Sequence, residues 1–226
     1  NDLASVEKLV TKKTCAIMVE PVQGEGGVIP CTKAFMKGLA ALRKKHGLLL
    51  IFDEVQCGLG RTGKWFAFEH FGVKPDIMTL AKALGGGLPL GAMLSTAPLA
   101  EAFAAGSHAS TFGANPIACA AGNEALFIME SESLVEHAEK IGLYFKEKLS
   151  KTAKKTGRIA EVRGMGAMLG VVIDGDARDA VGYFRDRGML VNAVRENTIR
   201  ILPPLNITEK HADEFVKLLE GFLSQK

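Results

Sequence analysis

The 226-residue sequence predicts an α/β protein with a mainly parallel sheet, followed by a smaller α+β domain. Three observations carry that reading. Strand-sized apolar runs alternate with helical stretches through the first 130 residues, with short connections between them. One run, Leu48 to Phe52, is continuously apolar and closes on Asp53, which suits a parallel strand buried on both faces. After about residue 130 the texture changes to one long charged helix and then to closely spaced short elements. We therefore expect two domains, residues 1–130 and 131–226.

Each element follows from local pattern. Cys15 to Glu20 reads as a buried strand ending in a carboxylate. The next stretch, PVQGEGGVIP, reads as a loop because it is rich in glycine and proline. Residues 33–46 repeat apolar side chains at helical spacing (Phe35, Met36, Leu39, Ala40, Leu42) and end in basic residues before Gly47, a C-cap candidate. Residues 76–81 and 91–95 are two further strand candidates. Residues 115–129 read as a helix with Pro116 near its first turn. Beyond them come a helix over 132–154, the segments RIAEVRG and AMLGVVID, a helix over 176–187, the strands MLVNA and TIRIL, and a closing helix over 208–223. In open parallel sheets, ligands bind outside the carboxyl ends of the strands. Glu20 and Asp53 stand at two such ends, and Lys82 follows directly after a third.

Composition narrows the function classes. Basic and acidic residues, 28 against 25, are interspersed with no dense basic block, which argues against nucleic acid or an anionic membrane as partner. The apolar runs are far below the ~20 residues needed to span a bilayer, and no signal peptide opens the chain. Cys15, Cys31, Cys57 and Cys119 form no C-x-x-C, and the five histidines form no paired-ligand motif, so no metal site is expected. Reduced thiols and a cytoplasmic location are the simplest reading.

Two chemical motifs compete. Gly58 to Lys64 matches G-x-x-x-x-G-K, most of a P-loop, but Trp65 stands where a hydroxyl must reach the metal. The motif also follows the acidic strand end by only a few residues, too soon for the two to occupy separate strands. The second motif is a lysine site. Asp53 closes an apolar strand, where a carboxylate is costly without a cationic partner. Lys82 lies between an apolar strand and Gly85–Gly87, where desolvation would favour its neutral, nucleophilic form. A lysine and an acid at sheet-end positions are what pyridoxal phosphate needs: an amine for a Schiff base, and a carboxylate that keeps the ring nitrogen protonated.

The segments EPVQGEGGV (20–28), LIFDEVQCGLGRTGKWFAFEHFGVKPDIMTLAKALGGGLPLGA (50–92), STFGANPIACAA (110–121) and IRILPPLNIT (199–208) together resemble the class III pyridoxal-phosphate-dependent aminotransferases, most closely the acetylornithine-utilising group. The resemblance implies a fold-type I large domain, incomplete at its start, and a small C-terminal domain. It implies Lys82 as the Schiff-base lysine and proton shuttle, Asp53 as the partner of the ring nitrogen, Val55 against one ring face and Gln56 on the phenolic oxygen. Ser110 and Thr111 would hold the phosphate, supplied across a homodimer with shared active sites. Arg200 would bind the substrate α-carboxylate, Glu25 would pair with Arg200 when that carboxylate is absent, and Glu20 would lie near cofactor and substrate. The implied reaction moves the ω-amino group of N-acetylornithine to 2-oxoglutarate, in arginine biosynthesis. Ornithine, succinylornithine, succinyldiaminopimelate and 4-aminobutyrate are the alternative donors.

The family pattern extends before the position of Asn1. The part before it would supply a glycine-rich phosphate grip, an aromatic ring stack and further strands. The expectation is a piece of a longer enzyme. The competing reading is a truncated relative that acts through its dimer surface without catalysis.

Overall fold

The structure, a computed structural model, describes residues 1–225. In chain order the elements are α1 (Leu3–Leu9), β1 (Ala16–Val19), β2 (Val22–Gln23), β3 (Ile29–Pro30), α2 (Lys33–His46), β4 (Leu49–Asp53), β5 (Ile77–Leu80), β6 (Ala92–Ser95), α3 (Ala97–Ala100), α4 (Pro116–Ser131), α5 (Leu134–Thr156), β7 (Ile159–Met165), β8 (Met168–Ile173), α6 (Ala177–Arg185), β9 (Asn192–Val194), β10 (Thr198–Ile201) and α7 (Glu209–Leu223). They divide into two compact units. The first comprises residues 1–21, 31–59 and 66–132, and the second, among the described residues, 22–30, 60–65 and 133–225.

The first unit is built on a four-stranded sheet in the order β1-β4-β5-β6. β1, β4 and β5 run parallel and β6 is antiparallel to β5. Helix α2 begins at Thr32, whose hydroxyl accepts from the Phe35 N–H at 3.1 Å, and ends at Gly47 in the left-handed conformation. It buries Met36, Leu39 and Leu42. Asp76 fastens this helix to the sheet: one carboxylate oxygen receives the Arg43 guanidinium, and the other accepts from the Leu50 N–H at 2.8 Å. The 48–53 run departs from expectation. Leu50 and Phe52 are fully buried, whereas Leu49, Ile51 and Asp53 are partly exposed, so only one face of β4 is closed within this chain. The outer strands also leave apolar side chains in view, with Met18 on β1 59% exposed and Met93 and Leu94 on β6 47% and 44%.

The second unit carries an antiparallel sheet in the order β7-β8-β10-β9. β8 is buried along its whole length. Its core holds Ile141, Phe145 and Leu149 of α5, Phe184 of α6 and Phe215 and Leu219 of α7. The Phe184 and Phe215 rings stack at 5.2 Å, and Phe145 meets Phe215 edge-on at 5.9 Å. The segment read as a plain loop, 21–30, contains the short β2–β3 hairpin. Its turn packs on this sheet: a side chain at Gly170 of β8 would meet the Val28 Cβ at 3.1 Å. Among the described residues, no helix is long and apolar enough to cross a membrane.

Candidate active site

In the first unit, parallel strands bring three predicted residues to one sheet edge. Glu20 follows the last residue of β1, Asp53 is the last residue of β4, and Lys82 comes two residues after β5 ends. Asp53 pairs in register with Thr79, three residues before Lys82. The carboxylate is oriented by its own turn, since its Oδ1 accepts from the Val55 N–H at 3.0 Å. Thr79 adds a buried hydroxyl without a hydrogen-bond partner among the described residues.

Lys82 opens a single 3-10 turn, Lys82–Gly85, and has φ +48°. The left-handed region costs a non-glycine residue about 1–2 kcal/mol. Strain of this kind collects at functional sites, where the surroundings must hold it. Here α4 holds it. A Cβ at Gly122 would meet the Leu84 carbonyl and the Leu90 side chain, each at 2.8 Å, so glycine lets the helix lie directly on the lysine turn. Gly86, at φ +58°, then leaves the turn close to the Ala121 carbonyl. Among the described residues the lysine is exposed, not buried at the strand end as expected.

Val55 and Gln56 continue from Asp53 and are half-buried. Ser110 and Thr111 lie in an exposed segment ahead of α4. The N–H groups of Ile117 and Ala118 at the start of α4 already donate to the Asn115 side chain.

A residue missed from the sequence is Glu54. It is 1% exposed, and its carboxylate accepts from the Ala67 and Phe68 N–H groups at 2.7 and 2.8 Å. Burial raises its pKa above the ordinary glutamate value, against those hydrogen bonds. Glu54 thus ties the segment after Asp53 to the turn at residues 67–70. The acidic pair Asp53-Glu54 was the visible signal, but strand alternation alone does not say which member faces inward.

The second unit holds Arg200 and Glu25. Arg200 sits on β10, with its side chain 11% exposed, and meets the Glu25 carboxylate at 2.5 Å. Its Nη2 donates to the Asn192 side chain at 2.8 Å, its register partner on β9. Glu25 approaches from the β2–β3 turn and is 75% exposed. Asn192 was not anticipated, because its role depends on the β9–β10 pairing.

Residues 1–223 match the family model described as Aminotransferase class-III. The chain belongs to the class III aminotransferase family. It is 45% identical over 225 residues to an acetylornithine aminotransferase of Streptococcus mutans, covering 100% of this chain and 59% of that protein. It is 43% identical over 218 residues to a succinylornithine transaminase of Yersinia pseudotuberculosis, covering 95% and 53%. Its structure matches the ornithine δ-aminotransferase of Plasmodium falciparum with a TM-score of 0.91 at 38% identity, covering 98% of this chain and 59% of the other. The chain thus spans a little over half the length of the class III relatives it matches.

Class III aminotransferases depend on pyridoxal phosphate as a family, and the groups of the first unit suit that cofactor. A carboxylate held in one orientation and an exposed primary amine stand at the carboxyl ends of neighbouring parallel strands. Those are the two groups that a pyridine nitrogen and an aldehyde carbon require.

Proposed function

We propose that the protein is a pyridoxal-phosphate-dependent aminotransferase that transfers the ω-amino group of N-acetylornithine to 2-oxoglutarate, giving a semialdehyde and glutamate. The observation that carries this reading is the placement of Asp53 at the end of one strand and the strained Lys82 just beyond the end of its neighbour, within a chain that matches the class III family over residues 1–223. When bound, the cofactor supplies an electron sink for the carbon that loses its proton.

The chain's own groups do the rest. Asp53, fixed by the Val55 N–H, holds a proton at the ring nitrogen. Lys82 would hold the cofactor through its side-chain amine and would carry the proton to and from the substrate carbon. Val55 supplies an apolar wall and Gln56 a hydrogen bond to the phenolic oxygen. Ser110 and Thr111, on their exposed loop, serve the phosphate of the neighbouring subunit in a homodimer. Arg200 takes the α-carboxylate of 2-oxoglutarate and of glutamate as a two-pronged donor. Glu25 neutralises Arg200 while a donor without a carboxylate at its reacting end is bound. Glu20 completes the polar edge.

N-acetylornithine is the preferred donor because the first curated relatives carry its name. Succinylornithine and ornithine form the second reading, supported by relatives of comparable similarity. An acyl group or one methylene is a modest difference for a pocket wall to discriminate, so a panel of these donors decides among them.

The test is borohydride reduction of the intact protein with pyridoxal phosphate, followed by peptide mapping. A phosphopyridoxyl group on Lys82, lost in Lys82→Ala, is the expected result. A cofactor group on another lysine would overturn the assignment. No attachment at all would favour a non-catalytic relative that acts through its subunit surface.

A further inference from the structure

We propose that Arg163 and Arg195 are positioning residues that clamp the Glu25 turn, and so set how readily Arg200 is released to a substrate carboxylate. This rests on the proposed roles of Glu25 and Arg200.

The two arginines grip the backbone immediately after Glu25. The Arg195 Nε donates to the Gly26 carbonyl. The Arg163 Nε donates to the Gly27 carbonyl at 2.8 Å. Their side chains close round Gly27, where an added Cβ would lie 3.0 Å from Arg163 Nη2 and 3.2 Å from Arg195 Cδ. Arg163 is itself braced by Glu161 at 2.9 Å and by the buried Thr198 hydroxyl at 3.3 Å. Its strand, β7, and the β9–β10 hairpin that carries both Arg195 and Arg200 belong to one sheet. The clamp and the residue it serves are therefore built on the same support.

The turn is also strained. Val28, fully buried and β-branched, has φ +55° in this turn, and Arg195, in the β9–β10 hairpin, has φ +57°. Such values persist only where surrounding contacts over-determine them. Two hydrogen bonds to the Gly24 carbonyl, from the Gly27 and Val28 N–H groups, complete the turn.

Glu25 needs this support because of its exposure. A carboxylate that is 75% exposed gains little from an ion pair on its own, since water screens it and pairing costs side-chain freedom. Holding the backbone keeps the carboxylate within reach of Arg200, so the clamp raises the fraction of molecules in which Arg200 is occupied. A 2-oxo acid must displace Glu25, and its apparent affinity falls with the occupied fraction. A donor with no carboxylate at its reacting end gains from the same pair. The clamp thus divides affinity between the two substrates.

The test uses the intact enzyme with its cofactor and compares Arg195→Met, Arg163→Met, Glu25→Gln, the double variant Arg195→Met/Glu25→Gln, and Arg200→Lys. Arg195 is exposed, so its variant does not depend on repacking a core. We expect Arg195→Met to lower the KM for 2-oxoglutarate about threefold to tenfold and to raise the donor KM. Glu25→Gln should do the same, and the double variant should do no more, because both changes act through one contact. Calorimetry with glutarate, a dicarboxylate that cannot react, should show tighter binding in both single variants. Amide exchange at residues 26–28 should quicken in either arginine variant. KM values that move together or not at all, or an additive double variant, would overturn the clamp. If Arg200→Lys weakens 2-oxoglutarate while the clamp variants match wild type, only the clamp fails. If Arg200→Lys leaves both substrates and glutarate unaffected, the underlying role of Arg200 fails.

Discussion

At the scale of single residues, each unit holds its candidate groups with specific hydrogen bonds. Arg200 is held, by Glu25 and by Asn192, with its side chain only 11% exposed. Replacing it with alanine removes two charge-assisted hydrogen bonds to a carboxylate. The KM for 2-oxoglutarate should rise roughly tenfold to hundredfold, with a smaller effect on an ω-amine donor, which has no carboxylate at its reacting end. Steady-state kinetics with both substrates checks this. Glu54 is held more deeply. Glu54→Ala leaves the Ala67 and Phe68 N–H groups without their acceptor and should cost about 2–4 kcal/mol by denaturant unfolding. Burial raises the folded pKa of Glu54, so the folded state takes up this proton more readily than the unfolded chain. The resulting stabilisation is fully present below the ordinary glutamate value and is lost as the pH rises through the folded pKa. The gap between wild type and Glu54→Ala should therefore widen on acidification from neutral pH, and a constant gap would contradict the assignment.

At the scale of elements, close backbone approach decides the architecture. In the second unit, a Cβ at Gly142 in α5 would sit 2.1 Å from the Gly166 carbonyl in the β7–β8 turn. That turn in turn abuts residues 62–63, since a Cβ at Gly166 would lie 2.4 Å from the Thr62 carbonyl carbon. Gly142→Ala should destabilise the protein by about 3 kcal/mol or more, because two backbones would have to separate. Thermal unfolding measures it, and a neutral result would mean that the contact is looser. Arg61 secures the same region by donating to the Pro203 carbonyl. Burial lowers its pKa to about 10, which still leaves it charged at neutral pH. The glycines of GLGRTG, which resemble part of a phosphate loop in the sequence, thus take part in packing here: Gly58 lies on the Glu54 carbonyl and Gly63 on α5 at Glu139.

At the scale of the whole chain, the two units differ in how completely they bury themselves. The second has a continuous core spanning α5, β7, β8, α6, β10 and α7. The first exposes every residue from Ala100 to Ile117, with Phe103 at 52%, Phe112 at 82% and Ile117 at 73%. Segments with few buried contacts open at low free energy. In the 226-residue chain, amides between residues 100 and 113 should therefore exchange faster than those of β8 and α7. Mass-spectrometric hydrogen exchange distinguishes this from uniform protection.

The alternation of apolar runs and helical stretches was enough to place α2, β4, β5, α4 and α7 within a residue or two, because those elements are dictated by local periodicity and by caps such as Thr32, Gly47 and Asn115. Strand order explains why Asp53 and Lys82 were readable as a pair: residues at the carboxyl ends of neighbouring parallel strands are brought together by topology alone. Other features arose only in three dimensions. The inward turn of Glu54, the left-handed backbone of Lys82 and Val28, the grip of Arg163 and Arg195 on glycine carbonyls and the exposure of Lys82 depend on which surfaces meet. Sequence periodicity records which way a side chain faces, whereas backbone-to-side-chain bonds between residues 136 and 169 positions apart are decided by packing.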